Sequence, residues 1–456
     1  MSSIRLRPYQ EAALEKMRFL PSFALFFGTG SGKTFTSLFR VKENETKHLL
    51  IVCPSKVVPQ WANEVPKVLP DLEWVKFPKT STAATKDKIL HELDLSTPKL
   101  VVVNYEILYK LGALLRIVDN DWTIILDESH KIKDLGTKKK PNKATNFALT
   151  LSKNTFYKII LTATPTQKDM GGYIDYYSQL KFLGYMKMSI ETFKDRYCVM
   201  QRIQPAGVPY PIHVIRKYVK TDEIDAILQD VAVRYVPKFG DFEPQHIKID
   251  IERTSKYPDI QKYYPELTMN NASTTRIVKK TITGGRIHGL NTFKEPVILD
   301  DNTNKIDWLE EFLSDTDETI VVFYKYNVEL ALLEQLMKKL KKKYIVLNGA
   351  NKTKYEDVQN KEYEVVLGQI AAAGESIDGL QHRSHIVVYY AMPESSIEYV
   401  QSLGRIDRMG QEFVPMYYYL VMERTIDAQI YNLLQSKVEF SEEVLNKLCL
   451  EEDEIQ

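Results

Sequence analysis

The chain has 456 residues, which is enough for more than one hydrophobic core. Hydrophobic residues make up 44% of it and charged residues 27%, as in an ordinary globular protein, and the net charge of +1 excludes a wholly basic nucleic-acid-binding surface. The cysteines Cys53, Cys198 and Cys449 have no CxxC spacing, which favours a reducing compartment over a disulfide framework or a zinc site. Because no long apolar run occurs at the N-terminus or elsewhere, we expect no signal peptide, no membrane span and a cytoplasmic protein.

In the first half of the chain, short apolar runs alternate with helical patterns, which is typical of parallel α/β sheets. These runs are FALFF, HLLIVCP, KLVVVNY, WTIILDE and YKIILTAT. Each ends near a small, polar or acidic residue, and ligands bind at that end of the strands in an open parallel sheet. We predict a first α/β domain over residues 1–190.

The rest of the chain contains a region of weak periodicity and then a second α/β pattern. Residues 191–293 are rich in Pro and Tyr, so we predict an insertion with some helix and hairpin and no sheet domain of its own. The runs TIVVFY, KYIVLNG, YEVVLGQI and HIVVYY then predict strands, with an amphipathic helix in NVELALLEQLMKKLKKK. We predict a second α/β domain over residues 294–456.

The segment FFGTGSGKTF follows a predicted strand and precedes a helical pattern, which is the setting of a phosphate-binding P-loop. Glycines let backbone N–H groups approach a polyphosphate, and the helix N-terminus favours its negative charge. Lys33 is predicted to contact the β- and γ-phosphates and Thr34 to bind Mg²⁺, although Phe27 stands where the strict motif has its first glycine. The predicted nucleotide-binding residues here are Gly28, Thr29, Gly30, Ser31, Gly32, Lys33 and Thr34.

An acidic pair follows the strand in WTIILDESHKIK. Asp127 at the strand end is predicted to hold Mg²⁺, and Glu128 is placed to orient or deprotonate the attacking water. In KIILTATPTQ, the hydroxyls of Thr162 and Thr164 could couple this acidic pair to neighbouring loops, and plain strand-end capping is the alternative.

With DESH and LTATP, the chain resembles superfamily-two helicases, and more closely the Swi/Snf-type ATPases. The segments LRPYQ, LLIVCPSKVVPQWANEVPK, VVVNYEIL and SSIEYVQSLGRIDRMGQ are similar to motifs of that family and occur in its order. The segment AAAGESIDGL departs from it, since Glu375 and Ile377 stand where glycine is expected. The resemblance implies two RecA-like parallel-sheet lobes in tandem with a ligand cleft between them, and the short inter-lobe segment favours a phage or bacterial member.

The resemblance also implies residue roles outside the P-loop and the acidic pair. Gln10, in LRPYQ, would hydrogen-bond the adenine base. Sequence-independent contacts with nucleic-acid phosphates are implied at Ser55, Lys56, Tyr105, Ala373 and Gly374.

The segment QSLGRIDRMGQ sets Arg405 and Arg408 three residues apart. We interpret it as part of a helix that begins at Ser395 or Ser396, on which the two arginines and Gln401 share one face. A guanidinium binds phosphate oxygens in pairs, so both arginines are predicted to complete the ATP site from the second lobe. Without the family context, the alternative is a surface helix whose arginines pair with the neighbouring aspartate.

The motifs predict an ATPase that uses ATP and Mg²⁺, and the resemblance implies that nucleic acid stimulates it and that it moves along double-stranded DNA. The alternatives are a strand-separating or branch-migrating helicase and an ATP-regulated clamp that does not hydrolyse ATP; Glu128 and the two arginines disfavour the clamp. We expect a monomer without a membrane partner, in a bacterial or phage-infected cell, and the sequence leaves a protein partner open.

Overall fold

The computed structural model describes most of the chain, and it divides into two compact units, Met1–Pro237 and Lys238–Gln456. Among the residues it describes, no helix is long and apolar enough to cross a lipid bilayer. The described residues are 5–28, 30–44, 46–78, 80–137, 140–166, 172–203, 212–235, 243–269, 272–301, 304–349, 358–359, 362–371, 379–408 and 410–435.

The first unit is organised around a seven-stranded sheet whose strand pairs are all parallel. The strands of the sheet are β1 (Ser22–Phe27), β2 (His48–Cys53), β3 (Glu73–Trp74), β4 (Lys99–Asn104), β5 (Trp122–Asp127), β6 (Lys158–Leu161) and β9 (Ala232–Tyr235). Two further strands, β7 (Cys198–Ile203) and β8 (Ile212–Tyr218), form a separate hairpin. The order across the sheet is β3-β4-β2-β5-β6-β1-β9. The strands β5, β6 and β1, which end at the acidic pair, at Thr162 and at the P-loop, are therefore neighbours.

Helices of the first unit cover both faces of this sheet, which explains the continuous apolar runs in its central strands. Alternate residues of β1 belong to different hydrophobic clusters: Ala24 and Phe26 to one, and Phe23, Leu25 and Phe27 to the other. The helices are α1 (Pro8–Met17), α2 (Lys33–Glu43), α3 (Val58–Val68), α4 (Ala83–His91), α5 (Tyr105–Leu108), α6 (Leu114–Ile117), α7 (Lys143–Leu151), α8 (Tyr173–Leu183), α9 (Ile190–Tyr197) and α10 (Thr221–Val231), with 3₁₀ turns at Ser55–Val57 and Ser129–Ile132.

The second unit contains a six-stranded sheet, again with parallel pairs throughout, and a small antiparallel hairpin. Its strands are β10 (Gln245–Ile251), β11 (Arg286–Leu290), β12 (Pro296–Asp300), β13 (Ile320–Tyr324), β14 (Tyr344–Leu347), β15 (Val365–Gln369), β16 (Ile386–Tyr389) and β17 (Met416–Met422). The sheet order is β10-β17-β16-β13-β15-β14, and β11 pairs with β12. The helices are α11 (Ile260–Tyr263), α12 (Ala272–Thr283), α13 (Asn304–Ser314), α14 (Asn327–Leu340), α15 (Ser396–Leu403) and α16 (Ile426–Gln435), with 3₁₀ turns at Tyr257–Asp259 and Leu380–His382.

The predicted fold class of two parallel-sheet α/β lobes is confirmed, and each apolar run named above forms a strand. Residues 191–293, predicted as an insertion, are shared between the units. They include the expected helix α10 and the hairpin β7–β8, but they also extend both sheets, since β9 pairs with β1 and β10 pairs with β17. The three-part division of the chain stays a prediction.

Candidate active site

The loop between β1 and α2 has the backbone shape that its glycines predict. Gly30 and Gly32 have φ angles of +71° and +74°, in the left-handed region that residues other than glycine rarely adopt. A Cβ atom on Gly32 would also lie 2.4 Å from Nε2 of Gln10, which is closer than real contacts allow. The left-handed turn into α2 therefore favours glycine at position 32, and a side chain there would also displace the Gln10 amide. Thr29 lies outside the described residues.

Lys33 begins α2, and the loop's own backbone holds its ammonium group. Its Nζ donates hydrogen bonds to the carbonyl oxygens of Phe27, at 3.0 Å, and Gly28, at 3.1 Å. The Ser31 hydroxyl donates to the same Gly28 carbonyl at 2.6 Å, which tightens the loop. A fixed cation beside the N-terminus of an eleven-residue helix is a suitable setting for a polyphosphate, with Thr34 in the first helical turn.

Gln10 and its neighbour Tyr9 attach α1 to this loop. The Gln10 side chain is 5% exposed, and its Nε2 donates to the carbonyls of Ser31 and Gly32, both at 3.2 Å. Its Oε1 accepts from the Arg7 backbone N–H at 2.8 Å, and the Tyr9 hydroxyl donates to the Ser31 carbonyl at 2.9 Å. Gln10 therefore lies at the P-loop and supports the loop backbone, and its contact with adenine stays a prediction.

Sequence reasoning missed an aromatic contact at the same place. The rings of Tyr9 and Tyr235 stack with centroids 3.9 Å apart and an interplanar angle of 11°. The Tyr235 carbonyl, at the end of β9, accepts a hydrogen bond of 2.7 Å from the Gly28 N–H. The only sequence signal was the short apolar run before Tyr235, within a region that has no clear strand pattern. The last strand of the sheet thus fixes the first residue of the P-loop.

Asp127 lies at the end of β5 and is held by two N–H donors. Trp61 Nε1 donates to one carboxylate oxygen at 2.8 Å and the Glu128 backbone N–H to the other at 3.0 Å. Burial, together with the charge of Glu128, raises the pKa of Asp127 to about 6. Two adjacent half-buried carboxylates near Lys33 are a donor set that fits a hard cation such as Mg²⁺, which needs only one or two protein carboxylates when phosphates supply the rest.

Glu128 has an unusual backbone and a well-connected carboxylate. Its φ of +51° is left-handed, a strained conformation that is concentrated at functional sites. Its Oε2 lies 3.2 Å from His130 Nδ1 and accepts from the Thr162 hydroxyl at 3.3 Å. Burial alone would raise the pKa of Glu128, but the hydrogen bond and charge of His130, the charge of Lys33 and the Thr162 hydroxyl together lower it to about 2. Glu128 is ionised at neutral pH, and its bond from Thr162 matches the coupling that the sequence left open beside strand-end capping.

The arginine segment in the second unit differs from the prediction in one respect. Helix α15 begins as expected, since the Ser395 hydroxyl accepts from the Glu398 N–H at 3.1 Å. It ends at Leu403, however, with Gly404 as its C-cap, so Arg405 and Arg408 lie in the turns that follow. The prediction that both arginines share a helix face with Gln401 is wrong, because the chain leaves the helix between Gln401 and Arg405.

The turn that carries the arginines is nonetheless anchored. The Tyr417 hydroxyl donates to the Leu403 carbonyl at 2.6 Å, and Gln411 Nε2 donates to the carbonyls of Ser384, at 2.9 Å, and Ile406, at 3.3 Å. Gln401 and Arg405 are each 8% exposed, and Arg408 is half-buried. The contribution of these three side chains to a nucleotide site stays a prediction.

The residues predicted to contact nucleic acid differ in their surroundings. Ser55 is exposed at the start of a 3₁₀ turn that also contains Lys56. Tyr105 is buried, with 5% exposure, and its hydroxyl donates to the Asp127 carbonyl at 2.7 Å. Its observed contact therefore supports the backbone of the acidic pair. Ala373 and Gly374 lie outside the described residues.

Two family models match the chain over the regions that contain these motifs. Residues 21–234, with the P-loop and the acidic pair, match the SNF2-related domain, and residues 304–410, with the arginine segment, match the helicase conserved C-terminal domain. Together the two matches span more than half of the chain and define an ATPase of the helicase-like class. Within that class, the chain belongs to the Swi/Snf family of superfamily two.

Individual relatives include bacterial, phage and plant proteins. The chain is 22% identical to the uncharacterized ATP-dependent helicase YqhH of Bacillus subtilis over 92% of this chain and 75% of that protein. It is 24% identical to the protein p41 of Acyrthosiphon pisum secondary endosymbiont phage 1, over 96% of this chain and 97% of that protein. It is 22% identical to the CHD3-type chromatin-remodeling factor CHR7 of Arabidopsis thaliana, over 93% of this chain but 36% of that protein.

A solved structure, the Sulfolobus solfataricus SWI2/SNF2 ATPase core in complex with double-stranded DNA, aligns with 99% of this chain and 94% of that chain. The identity is 20% and the TM-score is 0.44, which is too low to bear on the fold.

Proposed function

We propose that this protein is a translocase that couples the hydrolysis of Mg²⁺-bound ATP to movement along double-stranded DNA. The observation that carries the proposal is the convergence of Lys33, Asp127 and Glu128 within one unit, where the charge of Lys33 acts on both carboxylates. The similarity to a chromatin-remodeling factor supports movement on duplex DNA over other uses of this ATPase class.

Each residue of the first unit has a proposed task. The ammonium of Lys33 exchanges the carbonyls of Phe27 and Gly28 for phosphate oxygens, and Thr34 and Asp127 hold the metal ion. Glu128 orients the attacking water, while His130 and Thr162 hold the Glu128 carboxylate in place. Bound ATP and Mg²⁺ supply the scissile phosphoanhydride and the positive charge that polarises it. Gln10 contacts the adenine base in this proposal.

The second unit is proposed to complete the site when nucleotide binds. Arg405 and Arg408 neutralise the charge that develops on the transferred phosphoryl group, and Gln401 supports them. Because the arginines and the P-loop belong to different units, hydrolysis then depends on closure of the two lobes. ATP binding favours the closed state and product release favours the open state, so the lobes hold DNA alternately.

The proposed contacts with DNA are phosphate-directed and independent of sequence. Ser55, Lys56, Ala373 and Gly374 remain the proposed contact residues. Tyr105 is better assigned to the support of Asp127, because its hydroxyl is already bonded inside the first unit. A monomer in the cytoplasm and an unidentified protein partner stay predictions from the sequence.

A second candidate function is strand separation, which the description of the relative YqhH as a helicase favours. A translocase and a helicase share the ATP site and differ in what they do to the duplex. The decisive comparison is between displacement of a third strand from a triplex, which needs only movement, and separation of a forked duplex. An ATP-regulated clamp would do neither and would not turn over ATP.

The proposed function is tested by measuring ATP hydrolysis with duplex DNA, single-stranded DNA or RNA at one fixed salt concentration. We expect duplex DNA to stimulate hydrolysis and triplex displacement to require ATP. Stimulation by single strands or by RNA alone would refute the duplex-DNA proposal. Separation of a forked duplex at a rate similar to that of triplex displacement would favour the helicase.

A further inference from the structure

Gln179 on α8 joins two loops of the ATP site through a single buried amide group. Its Oε1 accepts a hydrogen bond of 2.7 Å from the Ser129 hydroxyl. Its Nε2 donates to the Pro165 carbonyl at 2.6 Å and to the Asp175 carbonyl of its own helix at 3.0 Å. Both Gln179 and Ser129 are fully buried. One side chain therefore links the 3₁₀ turn after the acidic pair to the loop after β6.

Both of the linked loops also contact Glu128. Ser129 is its direct neighbour in the chain, and Thr162, three residues before Pro165, donates to the Glu128 carboxylate. The Thr164 N–H in turn donates to the Thr162 hydroxyl at 3.1 Å. The contacts therefore form a closed ring from Glu128 through Ser129, Gln179, the Pro165 loop and Thr162 back to Glu128.

The orientation of the Gln179 amide is set by its partners. The carbonyls of Pro165 and Asp175 can only accept hydrogen bonds, so the NH₂ group must face them. The amide oxygen is then directed to the Ser129 hydroxyl, which donates to it. An apolar side chain of similar size would leave the buried Ser129 hydroxyl and the Pro165 carbonyl without these bonds.

We propose that Gln179 is a positioning residue for ATP hydrolysis. It fixes the distance between the Ser129 turn and the Pro165 loop. It thereby holds the backbone of Glu128 in its strained conformation and keeps the Glu128 carboxylate in place. Gln179 contacts neither nucleotide nor water in this proposal, which rests on the assigned ATPase activity and on the proposed role of Glu128. Small displacements of a catalytic group are costly, so the loss of this bridge affects turnover more than binding.

The test uses the full chain and four variants: Gln179→Leu, Ser129→Ala, the double variant, and the control Tyr177→Phe. Tyr177 lies on the same helix, and its hydroxyl donates to the Met188 carbonyl at 2.9 Å, away from the ATP site. The same hydroxyl accepts from Lys181 Nζ at 2.8 Å, so the control loses two part-buried hydrogen bonds from α8 without changing the bridge. Ser129→Ala tests the bridge with the smallest change in volume. For each variant, kcat, KM for ATP and the melting temperature are measured with saturating duplex DNA.

We expect Gln179→Leu and Ser129→Ala each to lower kcat by about tenfold while KM for ATP changes by less than about twofold. The double variant is expected to be no slower than the Leu variant alone, because both changes remove the same bridge. Tyr177→Phe is expected to lower the melting temperature and to leave kcat within about twofold.

A wild-type kcat in both Gln179→Leu and Ser129→Ala would overturn the proposal, and a lowered melting temperature would then show that the bridge is only structural. Fully additive losses in the double variant would overturn it as well, since the two residues would then act separately. If the wild-type protein hydrolysed no ATP with any nucleic acid, the ATPase assignment itself would fail. The two failures are therefore distinguishable.

Discussion

Replacing Glu128 by glutamine is expected to abolish turnover while leaving ATP binding intact. Glutamine has nearly the same volume and keeps one oxygen that can accept from Thr162, so the fold of the site is retained. What is lost is the negative charge, which is present at neutral pH because His130 and Lys33 lower the pKa of Glu128 to about 2. Loss of a positioned base lowers the rate by about 10²–10⁴-fold.

In free energy, that loss corresponds to roughly 3–5 kcal/mol of transition-state stabilisation. The melting temperature is expected to fall somewhat, because the lowered pKa of Glu128 means that its charge stabilises the folded protein at neutral pH. Steady-state hydrolysis measures kcat, and the fluorescence of a labelled ATP analogue measures affinity. Glu92→Gln, on the exposed end of α4, is the control for a change of one charge. Hydrolysis at the wild-type rate by Glu128→Gln would refute the role assigned to this carboxylate.

Three further substitutions test other parts of the structure. Gly32→Ala is expected to weaken ATP binding and to destabilise the protein by about 1 kcal/mol or more, because φ is +74° and the new methyl group would meet Gln10. Calorimetry measures the affinity for ATP, and thermal melting measures the stability. Arg408→Ala is expected to lower kcat by about 10³-fold with intact ATP binding, and a wild-type hydrolysis rate would exclude the arginine-finger role. Lys305→Met breaks the buried ion pair with Asp427, whose carboxylate keeps Lys280 at 3.8 Å. We expect the free energy of unfolding, measured with urea, to fall by up to about 3–5 kcal/mol; a loss below about 1 kcal/mol would show that the pair contributes little.

The sequence predicted the central strands well because burial on both faces produces continuous apolar runs, as in β1. Four strands of the two main sheets were not predicted: β3, β9 and β10, which lie at sheet edges, and the interior strand β17. The residues of β10 are exposed or half-buried until Ile251, so this strand has no such run. Tyr235 ends β9, and its role at the P-loop depends on pairing with β1, more than 200 residues earlier in the chain. Contacts of that kind come from tertiary structure and have no local pattern.

The acidic pair and the P-loop lysine were predictable because their roles follow from residue type and from the strand end that precedes them. The arginine helix was mispredicted because spacing alone does not show where a helix ends. Gly404 is a poor helix former, and the turn after it is stabilised by side chains that follow it in the chain. Gln411 donates a hydrogen bond to the Ile406 carbonyl, and Tyr417 donates one to the Leu403 carbonyl. The same limit applies to Gln179, whose two loop partners are 14 and 50 residues away in sequence.

The opposite pKa shifts of Asp127 and Glu128 follow from what each carboxylate touches. Glu128 has an imidazole and a hydroxyl on its side chain, so its charged form is stabilised despite burial. Asp127 has only neutral donors, the Trp61 indole and a backbone N–H, and it also feels the negative charge of Glu128. Environments that push the pKa values of two neighbouring carboxylates apart give the two groups different tasks. Asp127, whose charge is compensated less by the protein, is the one suited to a cation, and Glu128, whose charge is already compensated, is free to orient water.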